Sequence, residues 1–200
     1  VVGAAGVDTL VCVPDPVPDL TRDSTMAGVV DRVGQAGAFT SRGFARLGWR
    51  TGFVGLFGDD WAAAAVRSAF ARDGVRIAAE SLDPSGTARS VNLMTPDGRR
   101  RAFYDGRGHM SAPVPDAAAA FLGSRLALFH LSDWCRHLLT AARASGAAVA
   151  TDLQDVTDVG DEYRADFVAA SDIVFLSAAN LRDPLEAAHE VLGVGPSVVV

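Results

Sequence analysis

Short apolar runs alternate with helical patterns along these 200 residues, the rhythm of a parallel sheet whose strands are joined by covering helices. Val1 to Ala5 reads as the first strand and Thr51 to Phe57 as a second. Asp59 or Asp60 then caps a helix running to about Asp73, with Trp61, Ala65, Ala69 and Phe70 on one face and Gly74 as its stop. Leu126 to Leu131 is the next strand. A helix from about Trp134 follows, with Leu138, Leu139 and Ala142 on one face and Gly146 at its end. Ala147 to Thr151 and Ile173 to Leu176 are further strands. Asp183-Pro184 opens a helix that Gly193 ends, and Ser197 to Val200 reads as a buried final strand.

One stretch breaks this rhythm. From Thr87 to Tyr104 two extended segments flank Pro96-Asp97-Gly98, a hairpin with no helix. Leu10 to Val13 is also strand-like and leads into the Pro-rich segment Pro14 to Pro18. These pieces predict a small sheet beside the main one. There are no internal repeats, and Ala117 to Ala120 reads as part of a helix. The chain opens on Val1-Val2 without an initiator Met and closes on β-branched residues. An unpaired apolar strand is a liability, so the expectation is a sequence cut at both ends.

Composition narrows the function classes. With 49% hydrophobic and 21% charged residues, the chain has the makeup of a folded domain with a real core. A net charge of −6 argues against a nucleic-acid partner, which needs clustered Lys and Arg. The one basic cluster, Arg99-Arg100-Arg101, reads as a solvated hairpin strand. Cys12 and Cys135 stand far apart with no Cys-x-x-Cys, which suggests neither zinc nor a disulfide framework and makes a reducing cytoplasm the simplest setting. His109, His130, His137 and His189 show no metal-ligand spacing, so no metal site is expected. His130, within a strand, reads as a packing residue. No membrane span or signal peptide is visible.

Ligands of open parallel sheets bind at the carboxyl ends of the strands. The residues placed there are Asp8, Gly34 to Phe39, His130 to Asp133, Asp152 to Asp155 and Ser177 to Asn180. Acidic and amide groups on one edge suit a polyhydroxylated ligand, because carboxylates accept hydrogen bonds from vicinal hydroxyls. A dinucleotide reading of Gly3-Ala4-Ala5-Gly6 fails on spacing, since the third glycine is missing and an extended, Pro-rich stretch follows. The Gly-Lys-Ser/Thr phosphate loop is absent too.

The chain resembles the ribokinase-like (PfkB) carbohydrate kinases. The residues that carry the resemblance are Gly3 and Asp8, Val33-Gly34-Gln35-Ala36-Gly37, Ala45-Arg46-Leu47-Gly48 and Val54-Gly55-Leu56-Phe57-Gly58-Asp59-Asp60. Asp73-Gly74-Val75, the hairpin with Asp97-Gly98, Asp152 and Ser171-Asp172-Ile173-Val174 follow in the family's order. The resemblance implies a three-layer α/β fold with a mostly parallel central sheet. It also implies a small β-sheet lid, built here from residues about 9–30 and 86–106 of a single, C-terminally incomplete domain 1–200. The implied activity is ATP-dependent phosphorylation of a hydroxymethyl group on a sugar or nucleoside-like metabolite, with Mg²⁺ and ATP as cofactors.

Under this resemblance Asp8, Gly34, Gln35, Gly37 and Phe39 bind the acceptor, and Ser177 and Asn180 lie at the nucleotide. Lid sheets of the family pair between subunits, which implies a homodimer. Three departures stand out. Gln35 and Phe39 replace the second Gly and the Asn of the family's Gly-Gly-x-Gly-x-Asn loop, changes of the kind that redirect substrate choice. Ser177-Ala178-Ala179-Asn180 replaces Asn-x-x-Glu, and the Gly-Ala-Gly-Asp motif carrying the base and anion hole is absent from these residues. The alternative reading is a sugar- or nucleotide-binding pseudokinase of the same fold.

Overall fold

The computed structural model describes residues 1–13, 21, 23 and 25–200. The expected Pro-rich segment Pro14 to Pro18 lies outside the described residues. In chain order the elements are β1 (Gly6–Cys12), β2 (Gly28–Gly34), α1 (Ala36–Arg46), β3 (Gly52–Phe57), α2 (Trp61–Asp73), β4 (Arg76–Leu82), β5 (Ala88–Met94) and β6 (Arg100–Asp105). There follow α3 (Ala118–Phe121), β7 (Leu126–His130), α4 (Asp133–Arg136), α5 (Leu139–Ala144), β8 (Ala148–Asp155), α6 (Glu162–Ala170), β9 (Ile173–Ser177), α7 (Pro184–Val194) and β10 (Val198–Val199).

The strands form two sheets of different character. In the main sheet β10-β9-β8-β7 runs on one side and β3-β4 on the other, and every pairing among the described residues is parallel. Val2 joins the two halves. It forms parallel bridges to Val54 and Phe129, its N–H donates to Leu128 O at 2.8 Å, and its carbonyl accepts from His130 N at 2.9 Å. The expected strand Val1 to Ala5 is thus reduced to this single bridging residue, because the chain turns at Gly3 and enters the second sheet.

That second sheet has the order β2-β1-β5-β6. β1 pairs antiparallel with β2 and parallel with β5, and β6 closes the hairpin around Gly98, whose φ is 85°. The predicted side sheet is therefore present, with Leu10 to Val13 extended forward to Gly6. Gly6 is required at its root, since a Cβ there would sit 1.9 Å from Ala88 O.

Two apolar clusters cover the main sheet. One gathers Phe129, Val149, Leu153, Phe167 and Val174 beneath α4 to α6. The other packs Phe53, Phe57, Val66 and Phe70 between β3, α1 and α2, with the Phe53 and Phe70 rings edge-on at 5.0 Å. Asp60 caps α2 by accepting from Ala63 N, and Gly74 ends it in the left-handed conformation.

The buried stripe of α2 is rotated from the expected one. Ala62, Ala63, Val66, Ala69 and Phe70 face inward, while Trp61 is exposed and the Arg89 guanidinium lies over its ring at 4.9 Å. The single helix expected after Trp134 breaks into α4 and α5, and α7 runs to Val194 rather than stopping at Gly193. β10 is not the buried strand expected, since Val198 is exposed. Patterning also missed β2, β4 and α6. Among the described residues, no helix is long and apolar enough to cross a membrane.

Candidate functional site

The side sheet rises from the carboxyl ends of the main-sheet strands, and the junction is built from buried polar tethers. Asp60 Oδ1 accepts from Ala63 N, and its Oδ2 accepts from Thr87 N at 2.8 Å at the foot of β5. Thr87 Oγ1 in turn accepts from Gly58 N at 2.9 Å. Burial pushes the Asp60 carboxyl up, but the Thr87 and Ala63 N–H groups outweigh it and hold it below the ordinary value. Asp83, almost fully buried, accepts from Ser85 N and Gly108 N, both at 2.8 Å, and so fixes the loop that presents His109. Asp60 is accordingly the cap that its sequence position suggested, and through Thr87 also a tether.

Between the sheets lies a narrow cleft with a cavity volume of only about 10 Å³, bordered by Ala4, Ala5, Ala88, Tyr104, His109 and Trp134 among others. A broader depression on α7, around Asp183, Glu186 and His189, lies on the outer side of a helix. The cleft is the better candidate, because it sits where the strand ends and the side sheet converge.

Asp8 stands on β1 beside this cleft. Its register partners Arg32, Ser90 and, beyond Ser90, Tyr104 put a row of polar groups across one face of the side sheet. Asp8 Oδ1 accepts from Ser90 Oγ at 2.7 Å and from Gln35 Nε2, and Oδ2 accepts from Gln35 N at 3.3 Å. Asn92 Nδ2 donates to Ser90 Oγ at 2.7 Å and extends the network. The carboxylate fits only because residue 34 is glycine: a Cβ there would lie 1.9 Å from Asp8 Oδ2.

Gln35 itself has φ 71° and ψ 154°, a conformation that costs a non-glycine residue about 1–3 kcal/mol. The first turn of α1 then docks on the start of the chain. Ala38 N donates to Ala4 O at 3.2 Å, and a Cβ at Gly37 would meet that carbonyl at 2.7 Å. Phe39, one turn from Gln35, is exposed.

A second chain of contacts crosses the sheet edge below α1. His130 is buried, with Nε2 2.9 Å from Thr40 Oγ1 and Nδ1 3.3 Å from Asp152 Oδ2, the latter without hydrogen-bond geometry. Gly3 makes room for this side chain, since a Cβ there would lie 2.9 Å from His130 Cβ and 3.2 Å from its ring Cδ2. Burial raises the Asp152 carboxyl, and the His130 imidazole and the Gln154 N–H outweigh it, leaving it below the usual carboxylate range. His130 packs as expected and also links α1 to β8. Ser177 ends β9 in register with Asp155, its Oγ accepting from Ala179 N at 3.3 Å, and Asn180 is exposed on the following 3₁₀ turn.

The structure thus gathers Asp8, Gly34 and Gln35 into one contact network, packs Gly37 against the Ala4 carbonyl instead, and leaves Phe39 exposed. Ser177 and Asn180 sit apart from them, at the end of β9. Sequence reading passed over Ser90, Asn92 and Thr40. The first two carried a signal, polar residues at alternate positions of an extended segment, which marks one face of a strand.

No protein-family model matches the chain. It is 32% identical over 207 residues to acarbose 7(IV)-phosphotransferase of an Actinoplanes species, a match covering all of this chain and 67% of that protein. The chain belongs to the ribokinase-like (PfkB) carbohydrate kinase family. A solved structure of a microbiome-derived acarbose kinase superposes on this ribokinase-like chain with a TM-score of 0.87 at 32% identity, covering 100% of this chain and 67% of the other. The ribokinase of Arabidopsis thaliana, solved with ribose and ATP, gives a TM-score of 0.80 at 18% identity, covering 99% and 70% of the two chains. The ribokinase-like fold expected from sequence is therefore the observed one, and the side sheet is part of it.

Proposed function

We propose that the protein is an ATP-dependent kinase that phosphorylates a hydroxymethyl group of a sugar or sugar-like metabolite bound in the cleft between the two sheets. The observation that carries this reading is the Asp8 network, a fixed carboxylate beside the cleft at the foot of the side sheet. The relationship to acarbose 7(IV)-phosphotransferase supports a glycoside or cyclitol-like acceptor. In this reading Asp8 accepts hydrogen bonds from acceptor hydroxyls, Gly34 and Gly37 let the chain approach closely, and Gln35 and Phe39 border the ring. The side sheet serves as the lid of one domain, its described strands β1, β2, β5 and β6 falling largely in the lid segments expected at about 9–30 and 86–106. Phosphoryl transfer of this kind depends mainly on positioning.

ATP supplies the transferred γ-phosphoryl group when bound. Ser177 and Asn180 suit its phosphate end as polar groups on the exposed edge after β9. Mg²⁺ fits less well. No group of three or more His, Cys, Asp or Glu among the described residues could hold an ion, so no step is assigned through it. None of these 200 residues is assigned the role of proton acceptor. The exposed Val29, Val91 and Phe103 on the side sheet support a homodimer through the lid, and the free Cys12 and Cys135 are in keeping with the cytoplasm.

The test is ADP release from the full-length protein over a panel of sugars, cyclitols and glycosides. Activity should appear with at least one acceptor, and Asp8→Ala should raise its KM by at least tenfold. An unchanged KM would remove Asp8 from the site. Acceptor binding with no ADP release would favour a binding protein over a kinase.

A further inference from the structure

β6 is a free edge of the side sheet. Among the described residues it pairs with β5 alone, it stands last in the order β2-β1-β5-β6, and all six of its residues are exposed. Such an edge is a template for another strand, because every second residue turns an unpaired N–H and C=O outward. The hairpin decides which residues these are. Thr95 N donates to Arg99 O at 3.0 Å, and Met94 O accepts from Val13 N on the other side of β5. Hydrogen-bonded pairs alternate along an antiparallel ladder, so Arg101, Phe103 and Asp105 direct their backbone groups to β5. Arg100, Ala102 and Tyr104 direct theirs to the open edge.

The side chains make this edge complementary to itself. Arg101, Phe103 and Asp105 share one face of the strand, and Arg100, Ala102 and Tyr104 share the other. A two-fold pairing of β6 with its copy must hydrogen-bond outward-directed residues to each other. One register does so while setting Phe103 against the partner's Phe103 and Arg101 against the partner's Asp105, the latter twice by symmetry. These contacts fall on non-hydrogen-bonded pairs, where side chains come closest. Phe103 is 51% exposed and free to be covered. The Asp105 carboxylate, 3.1 Å from Arg107 Nη1, keeps room for a second guanidinium. Centring the pair on Arg101 would set like charges together. Centring it on Ala102 would turn Asp105 toward the partner's Arg99, whose Nε an Asp97 oxygen already holds at 2.7 Å.

We propose that two copies of this chain join edge to edge through β6, merging their side sheets into one eight-stranded sheet centred on Phe103. The same register sets the partner's Arg100 opposite Gly106, which borders the cleft, so each subunit supplies a basic residue beside the other's cleft. The inference rests on the reading of a lid homodimer above and names its strand and register.

The experiment measures the sedimentation of the full-length protein over a range of concentrations, with thermal melting to show that each variant folds. Wild type should be a dimer that dissociates on dilution. Arg101→Glu and Asp105→Arg each set like charges across the axis and should raise the dimer dissociation constant about tenfold or more. The double variant restores opposite charges and should return to within about threefold of wild type, a rescue that mere loss of folding would not give. In a Cys12→Ser background, Phe103→Cys should form a covalent dimer on mild oxidation, since its Cα atoms meet at about 4.5 Å across the axis, and Ala102→Cys should not.

A dimer that ignores the charge changes, or that cross-links through Ala102→Cys and not Phe103→Cys, overturns the edge pairing and leaves a lid dimer of another kind. A monomer at every concentration overturns both. Neither result touches the kinase reading, which ADP release decides separately.

Discussion

The two sheets of this protein are built on opposite principles. In the main sheet the strands are covered from both sides, and Phe129 on β7 and Val149 on β8 are fully buried. In the side sheet all six residues of β6 are exposed, and β2 is largely so. Its inner surface carries Asp8, Ser90 and Asn92 in one hydrogen-bonded network, and Asp60 ties its foot to α2. The main sheet draws its stability from apolar burial, the side sheet from ladder bonds and a few polar tethers. The difference teaches where motion belongs: an element with little buried apolar area opens at low cost, which suits a cover over a ligand.

The sharpest way to break this comparison is to hollow out the main sheet. Phe129→Ala should cost about 3–5 kcal/mol, through lost burial and the cavity left behind. Urea unfolding measures it, and a loss below about 1 kcal/mol would mean that the apolar cluster does not hold the molecule together.

A mid-sized effect should come from the root of the side sheet. A Cβ on Gly6 meets the Ala88 carbonyl, a backbone group that cannot rotate away, so Gly6→Ala should cost about 1–3 kcal/mol. Hydrogen exchange should then accelerate in β1 and β5 while β8 keeps its protection. Equal acceleration in both sheets would show that they open as one unit.

The smallest effect concerns the tether. Asp60→Ala removes a helix cap, at about 1 kcal/mol. The Asp60 carboxyl is held below its ordinary value of 3.8 in the folded protein. A depressed carboxylate stabilises the fold above its unfolded pKa, and that contribution disappears as pH falls through the lower folded value. The gap between wild type and Asp60→Ala should thus be full at neutral pH and close as pH drops below 3.8. A gap that widens in acid would refute the tether.

Much of this was legible in the chain. The alternation of apolar runs and helical stretches marked the parallel sheet, and Pro96-Asp97-Gly98 marked the hairpin of the side sheet. The spacing of Asp8, Gly34, Gln35 and Gly37 follows a family pattern and marked them as candidates, and the structure brings Asp8, Gly34 and Gln35 into contact. Trp61 was misplaced, because Ala-rich α2 has several small faces that could pack equally well, and only the docking of Phe70 and Val66 chose one. Ser90 and Asn92 were overlooked because a polar residue on a strand normally faces water.

Local sequence determined the elements and their punctuation: the Asp60 cap, the Gly74 stop and the turn at Gly98 follow from short-range sterics and hydrogen bonds. The tertiary structure alone decided how distant residues meet. Val2 became the seam of the main sheet, Gln35 took a glycine's conformation to grip Asp8, and His130 came between Thr40 and Asp152. The physical reason is range. Backbone preferences act over a few residues, whereas the partner of a buried polar group is fixed only when packing brings separate strands to one edge.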